Sequence, residues 1–386
     1  MEVDSEGSVE PGRSVRIDWQ GRRVSAWVPA LLAERILGGN RMRFTETTAR
    51  RTEQAAHLAT KASADLPVGW VPIARLLARS EGIASSFFEG IASPLAEVAL
   101  ALSNLSDSSA AVAVAENVTA LAHAMSQHNE EFSLDMLHDW HRILMAHATY
   151  LPPETIGAFR TQQGWIGGSS PIDAALVTAP PEFLASLMTD LASFINDTSI
   201  DPVTQAAIAH SQFETIHPYS DGNGRVGRVL ASWILAKRLD LRVSPPLSVH
   251  LSRDRGGYLS GLVLFQQGQV DPWIRWFADT VIRAATSAID VTLKVTGILA
   301  MWESRLSHLR VDAVARRTLL LFPERFVVTT NDVASATGVS ERAARSALAE
   351  LNRLRIIQEL DVDVGRLGRP PKIWIAPELA ALLASW

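Results

Sequence analysis

Apolar residues recur at three- and four-residue spacing through most of the first 290 positions, and strand-like alternation is scarce. That spacing predicts helices, because 3.6 residues per turn bring such positions onto one face. Residues 17–105 read as a helical N-terminal region with a short strand near 23–28, after a flexible polar tail, 1–16. The polar stretch 104–109, NLSDSS, marks a break before a helical core, 106–286. Inside that core Asp201 and Pro202 supply a cap and a first helical residue for a helix at 203–216, and a second helix follows at 225–241. Residues 157–181 do not fit the helical period. Gly167-Gly168 lies between β-forming residues and Pro180-Pro181 closes the stretch, which predicts a hairpin on the surface of the helical core. A long helix, about 271–307, leaves the core, with 287–310 as a linker.

The last part of the chain, 311–386, has a different pattern. Thr329 and Asp332 form a capping-box pattern ahead of a short helix, 331–337. Gly338 to Ser340 is a tight turn, and Ser340 can cap the next helix, 341–354. Helix, glycine turn, helix is the helix-turn-helix layout. Alternating residues at 356–364 and 372–375 around GRLGRPP predict a β-wing. Between Arg305 and Ile375 twelve Lys and Arg face eight Asp and Glu, so this part is net +4 within a chain of formal charge -5. Arg342 and Arg345 near the start of the second helix, with Arg366, Arg369 and Lys372 on the wing, are the DNA-binding candidates of this module.

Composition narrows the class. At 386 residues, 47% hydrophobic and 20% charged, two or three folded domains are expected. The absence of cysteine excludes disulfides, thiolate metal sites and a thiol nucleophile. Met1 to Arg13 shows no signal-peptide pattern, and no unbroken run of about 18 apolar residues predicts a membrane span; the expectation is a cytoplasmic protein without a membrane partner.

The chemistry concentrates at His217-Pro218-Tyr219-Ser220-Asp221-Gly222-Asn223-Gly224-Arg225-Val226-Gly227-Arg228, between the two core helices. A loop ending on a helix N-terminus presents the N–H groups of Gly222, Asn223 and Gly224 to an anion. Arg225 and Arg228 lie three positions apart and can share a side, which makes the cradle a polyphosphate site. Asp221 adds one carboxylate, suited to Mg²⁺ held jointly with phosphate oxygens. A neutral His217 at the mouth can take a proton from an incoming hydroxyl. His210, one heptad earlier, reads as structural.

This string resembles the Fic signature, H-P-[FY]-x-[DE]-G-N-G-R-x-x-R, at every fixed position, with Gly224 where the related kinase-like Doc branch carries Lys. The resemblance implies an all-α fold: a Fic-type helical core with a small β-hairpin flap, flanked by the N-terminal region and the winged helix-turn-helix. It implies a protein adenylyltransferase that moves AMP from ATP to a Ser, Thr or Tyr hydroxyl of a target protein or of itself. His217 would be the base and Asp221 the Mg²⁺ ligand. Gly222, Asn223, Gly224 and Arg225 would hold the α- and β-phosphates and Arg228 the γ-phosphate, with Val226, Gly227 and Tyr258 counted among the ATP-binding residues. Ser85-Ser86-Phe87-Phe88-Glu89-Gly90 resembles the inhibitory pattern [S/T]-x-x-x-E-[G/N] of the family. By that resemblance Ser85, Glu89 and Gly90 form an N-terminal inhibitory segment whose Glu89 pairs with Arg228 and displaces the γ-phosphate. Arg160, Trp165, Ile166 and Gly167 match the flap that holds the target segment. The competing reading is a DNA-binding regulator whose Fic core senses nucleotide. Removal of AMP, another nucleotide such as UTP or GTP, and a homodimer stay open.

Overall fold

The computed structural model describes residues 11–33, 44–361 and 371–384. A hairpin opens the chain: β1 (Gly12–Trp19) pairs antiparallel with β2 (Arg22–Pro29). Three helices follow, α1 (Glu46–Ala64), α2 (Val71–Phe88) and α3 (Leu95–Leu102). The core then runs through α4 (Ser109–Ser126), α5 (Leu134–Leu144), a two-residue pair β3 (Trp165–Ile166) and β4 (Leu176–Val177), α6 (Pro181–Asn196), α7 (Pro202–Ile216) and α8 (Asn223–Leu239). Next come α9 (Leu247–Leu251), α10 (Arg255–Gln266) and the long α11 (Val270–Arg305). The C-terminal part holds α12 (Val314–Thr318), α13 (Leu321–Arg325), β5 (Val327–Thr329), α14 (Thr330–Thr337), α15 (Glu341–Arg353), β6 (Gln358–Leu360), β7 (Ile373–Ile375) and α16 (Pro377–Ala384). Its three strands form one sheet in the order β5-β7-β6.

The architecture is helical with small sheets, as the periodicity predicts, but several boundaries differ. The tail expected at 1–16 is already strand from Gly12, because β2 supplies a pairing partner for every residue of β1. α11 runs unbroken from Val270 to Arg305, as the long helix expected at about 271–307 does, and ends short of position 310. α11 also holds an 18-residue window long and apolar enough to cross a membrane, with 33% of that window buried, a feature that a search for unbroken apolar runs passes over. β5 and α16 were not foreseen.

Two apolar clusters organise the packing. The larger surrounds α7 and α8, nearly all of whose residues are buried, with Trp140, Trp233 and Trp273 at its centre. The second joins Ile73, Leu76 and Leu77 of α2 and Val291, Val295 and Trp302 of α11 to Phe322, Leu348 and Ile373 of the C-terminal part. Leu76 and Leu77 are at most 1% exposed, so truncating either to alanine costs about 2–5 kcal/mol. α2 therefore sits between the core and the C-terminal part, where Arg75 pairs with Glu324 and the Arg79 guanidinium donates to the Glu324 carbonyl at 3.0 Å.

Candidate active site

α7 starts as its sequence dictates: the Asp201 carboxylate accepts from the N–H groups of Val203 and Thr204, and Pro202 takes the first helical position. The helix ends when His217 turns left-handed, φ 53°, with its N–H still bonded to the Phe213 carbonyl at 2.9 Å. Pro218 cannot continue the ladder. The His217 ring is half-buried, and its Nδ1 lies 3.3 Å from the Glu214 carbonyl. A carbonyl only accepts, so Nδ1 carries the proton and Nε2 keeps its lone pair. Burial and then the nearby Arg160 charge pull the imidazole down to about 4, so it is neutral near pH 7.

Arg160 is spent on structure. Its Nε donates to the His217 carbonyl at 2.9 Å and its other nitrogens to Gln162 and Ala179 carbonyls and the Thr178 hydroxyl. It ties the base of the hairpin to the end of α7. Trp165 and Ile166 form β3 and Gly167 follows it with a left-handed φ of 69°. Trp19 of β1 packs edge-on against Trp165 at 5.7 Å, a contact the sequence did not announce.

The loop between the helices is clamped from inside. The Asn223 side chain accepts from the Tyr219 N–H and donates to the Tyr219 carbonyl, both at 2.8 Å. Tyr219 is fully buried and stacks on His141 at 3.9 Å. His141 Nδ1 accepts from the Gly157 N–H at 2.8 Å, so its Nε2 must donate to the Asp221 carbonyl, 3.1 Å away. One imidazole thus joins the hairpin's start to the loop. Gly222 turns left-handed, φ 75°, as the N-cap of α8, and leaves the first N–H groups of that helix without helical partners.

Arg228 is 2% exposed and held by α2. Its Nε donates to the Ser85 hydroxyl at 2.9 Å, one terminal nitrogen to the Ser85 carbonyl at 2.9 Å, and the same nitrogen meets Glu89 at 2.7 Å. Phe88 lies flat beneath it, 5.1 Å from guanidinium carbon to ring centre. Burial alone would lower the Arg228 pKa; the Glu89, Tyr258 and Glu214 side outweighs it and the net shift is upward. Glu89 is the C-cap of α2, followed by the left-handed Gly90. Its carboxylate presses against Gly224 so closely that a β-carbon there would overlap it. A carboxylate therefore lies on the first turn of α8 beside a buried guanidinium, the position and partners a phosphate oxygen would take.

Other expected contacts fall elsewhere. Val226 is 1% exposed and packs in the core, and Gly227 faces Glu214 and Phe213; a helix presents only one side to the cradle, so neither lines it. Tyr258 is 3% exposed, its hydroxyl 2.9 Å from His210 Nε2 and its ring edge-on to Phe88; it supports Arg228 from behind and offers no open ring face. His210 is fully buried between Tyr258 and the Gly227 carbonyl, in keeping with a structural histidine. Arg225 is 4% exposed, meets the Met145 sulfur and the Tyr150 hydroxyl, and leaves its Nε unpartnered. Arg342 and Arg345 stand exposed on α15, Arg345 paired with Glu341; Arg366 and Arg369 lie outside the described residues.

Two residues at the site were not foreseen. Glu214 is 7% exposed with an unpartnered carboxyl oxygen, and burial pushes it up to about 8. Its place three residues before His217 was the available signal. The Tyr150 hydroxyl donates to the Asp221 carboxylate at 2.5 Å, across 71 residues of chain, and nothing local marks it.

Helix, clamped loop, helix, a neutral histidine and the Glu89 carboxylate thus meet in one place. Residues 131–235, which contain the loop and both helices, match the Fic/DOC family. The protein adenylyltransferase fic-1 of Caenorhabditis elegans is 30% identical over 157 residues, 40% of this chain and 28% of that protein. Protein adenylyltransferase Fic of Drosophila virilis is 32% identical over 152 residues, 39% and 28% of the two chains. The matches thus span 28% of the length of these curated relatives. A Fic family protein from Desulfovibrio desulfuricans G20 shares the fold with a TM-score of 0.55 at 21% identity, over 86% of this chain and 97% of that one.

Proposed function

We propose that this chain transfers AMP from ATP to a hydroxyl side chain of a protein, and that Glu89 holds it in check. The observation that carries the reading is the Glu89 carboxylate, 2.7 Å from Arg228 and seated against Gly224 like a phosphate. The name adenylyltransferase borne by the curated relatives supports it.

In this reading Glu89 leaves Arg228, and the γ-phosphate of ATP takes its place. The first N–H groups of α8 and Arg225 hold the α- and β-phosphates in fixed positions, so charge developing on the leaving pyrophosphate meets preset donors. Nε2 of His217 takes the proton as the hydroxyl oxygen attacks the α-phosphorus. The paired strands β3 and β4 hold the target segment by strand addition. Among the described residues no three His, Cys, Asp or Glu side chains converge as a metal cage. The single Asp221 carboxylate fits Mg²⁺ and would hold it, and the ion would supply neutralisation of the phosphate charge.

The test uses ATP labelled at the α- or the γ-phosphate with the Glu89→Gly chain. Label from the α-position is expected in protein, label from the γ-position is not, and His217→Ala abolishes the signal. Label from the γ-position without label from the α-position would make the chain a kinase. A second role rests on the C-terminal part, where α14, the left-handed Gly338 and α15 expose Arg342 beside the β5-β7-β6 sheet. We propose that it docks DNA with α15, and salt-sensitive binding of duplex from the protein's own promoter is the expected result.

A further inference from the structure

We propose that Tyr150 is a positioning residue that acts as a second brake, holding the Asp221 carboxylate in a pose that opposes the metal ion. The inference rests on the nucleotide-transfer reading above and concerns the opposite end of the cradle from Glu89.

Both Asp221 oxygens are engaged. Oδ1 accepts from the Gly222 N–H at 2.6 Å, a contact made within the loop itself. Oδ2 accepts from the Tyr150 hydroxyl at 2.5 Å, a donor brought in from the turn after α5. The backbone that carries this carboxylate is held, because His141 fixes the Asp221 carbonyl and Tyr219 and Asn223 clamp the loop before and after it. A carboxylate offers about four lone-pair sites, so a proton donor and a cation can share it, but they share it at a cost. Mg²⁺ demands near-ideal octahedral geometry at about 2.0–2.1 Å and tolerates little distortion of its oxygen ligand. A phenol proton on Oδ2 withdraws charge from that ligand and occupies one of its directions.

Tyr150 is also built to leave. Its side chain is 68% exposed, whereas the other two tyrosines of the chain, Tyr219 and Tyr258, are at most 3% exposed and locked in the core. It borders a groove of about 1170 Å³ shared with Arg225, Met145 and Gly90, which gives the ring room to turn aside. The site then has two independent stoppers. Glu89 occupies the end at Arg228, and Tyr150 occupies the carboxylate at Asp221. Removing Glu89 alone leaves the second in place.

The experiment compares full-length Glu89→Gly with Glu89→Gly/Tyr150→Phe. Each binds α,β-methylene-ATP, whose α–β bridge cannot break, while Mg²⁺ is titrated, and binding is read by calorimetry. Loss of the hydroxyl is expected to lower the half-saturating Mg²⁺ concentration about tenfold, or about 1.4 kcal/mol. The thermal midpoint should not move, since an exposed hydroxyl is lost and the ring is kept. An unchanged Mg²⁺ requirement overturns the proposal, and so does a higher one, which would make the phenol a support for the metal pose. If Glu89→Gly binds no analogue at any Mg²⁺ concentration, the nucleotide reading itself fails, and that failure is visible before Tyr150 is touched.

Discussion

At Gly224 the α-carbon carries only hydrogen, and the Glu89 carboxylate fills the space a side chain would take. A methyl there would overlap Glu89 and come within 3.0 Å of the Arg228 guanidinium. In the proposed reading it would loosen the inhibitory contact, yet it would also stand where a phosphate oxygen would approach the first turn of α8. The second effect dominates, because loss of one preset donor to developing charge costs about a hundredfold or more. Gly224→Ala is therefore expected to label no better than the unaltered chain, and Glu89→Gly/Gly224→Ala about a hundredfold below Glu89→Gly. A rise in α-label incorporation on Gly224→Ala would mean that phosphate does not use the cradle. In the proposed reading His217, as the base, sets the pH behaviour. Held at about 4 by burial and Arg160, it is already neutral at pH 6. The kcat/KM of Glu89→Gly should show no histidine limb between about pH 6 and 8; a limb near the ordinary value of about 6.5 would assign the base to another group.

In the proposed reading α2 is the inhibitory element, and its hold on Arg228 is divided among a hydroxyl, a carbonyl and a carboxylate. Only the first and last can be removed by substitution. Ser85→Ala deletes one bond to a buried charged group, worth about 1–3 kcal/mol, while the carbonyl and Glu89 remain. Labelling is expected to rise above that of the unaltered chain but to stay below Glu89→Gly. No rise at all would reduce Ser85 to a packing residue. Spacing places Ser85 and Glu89 on one helix face, and the resemblance to the family's pattern names Arg228 as the partner of Glu89; both side chains reach Arg228. The limits of α7, α8, α14 and α15 are likewise legible within two residues, because their caps are local: Asp201 with Pro202, Gly222, the Thr329–Asp332 box, and Ser340. What the sequence conceals is decided by partners remote along the chain. β1 is strand because β2 pairs with it, β5 is a three-residue strand that exists only beside β7, and Tyr150 finds Asp221 through the fold. A helical wheel can show that Val226 and Gly227 leave the cradle only once the facing helix is known.

At the scale of the whole molecule, the buried titratable groups pull stability in opposite directions. Burial holds His141, His210, His217 and His250 at about 4, below the 6.5 of an unfolded histidine. Burial also raises Glu81 to about 7 and Glu214 to about 8, above the 4.5 of an unfolded glutamate. Below about pH 6.5 the unfolded chain takes up protons at the four histidines that the folded chain refuses, so stability falls as pH falls toward 4. The glutamates act the other way: the folded chain keeps two protons that the unfolded chain has released, and that contribution is lost as pH rises through about 7 and 8. Between about 4.5 and 6.5 both operate, and four histidines outweigh two glutamates. Stability should therefore peak near pH 6.5 and decline on either side, read as the urea midpoint from pH 5 to 9. Glu81→Gln/Glu214→Gln removes the two ionisations and should flatten the alkaline decline while leaving the acid one. A midpoint that keeps climbing from pH 6.5 to 9 in the unaltered chain would mean that both carboxyls are ionised in the folded protein. Arg228, which faces each of them, would then be balanced by three carboxylates instead of by Glu89 alone.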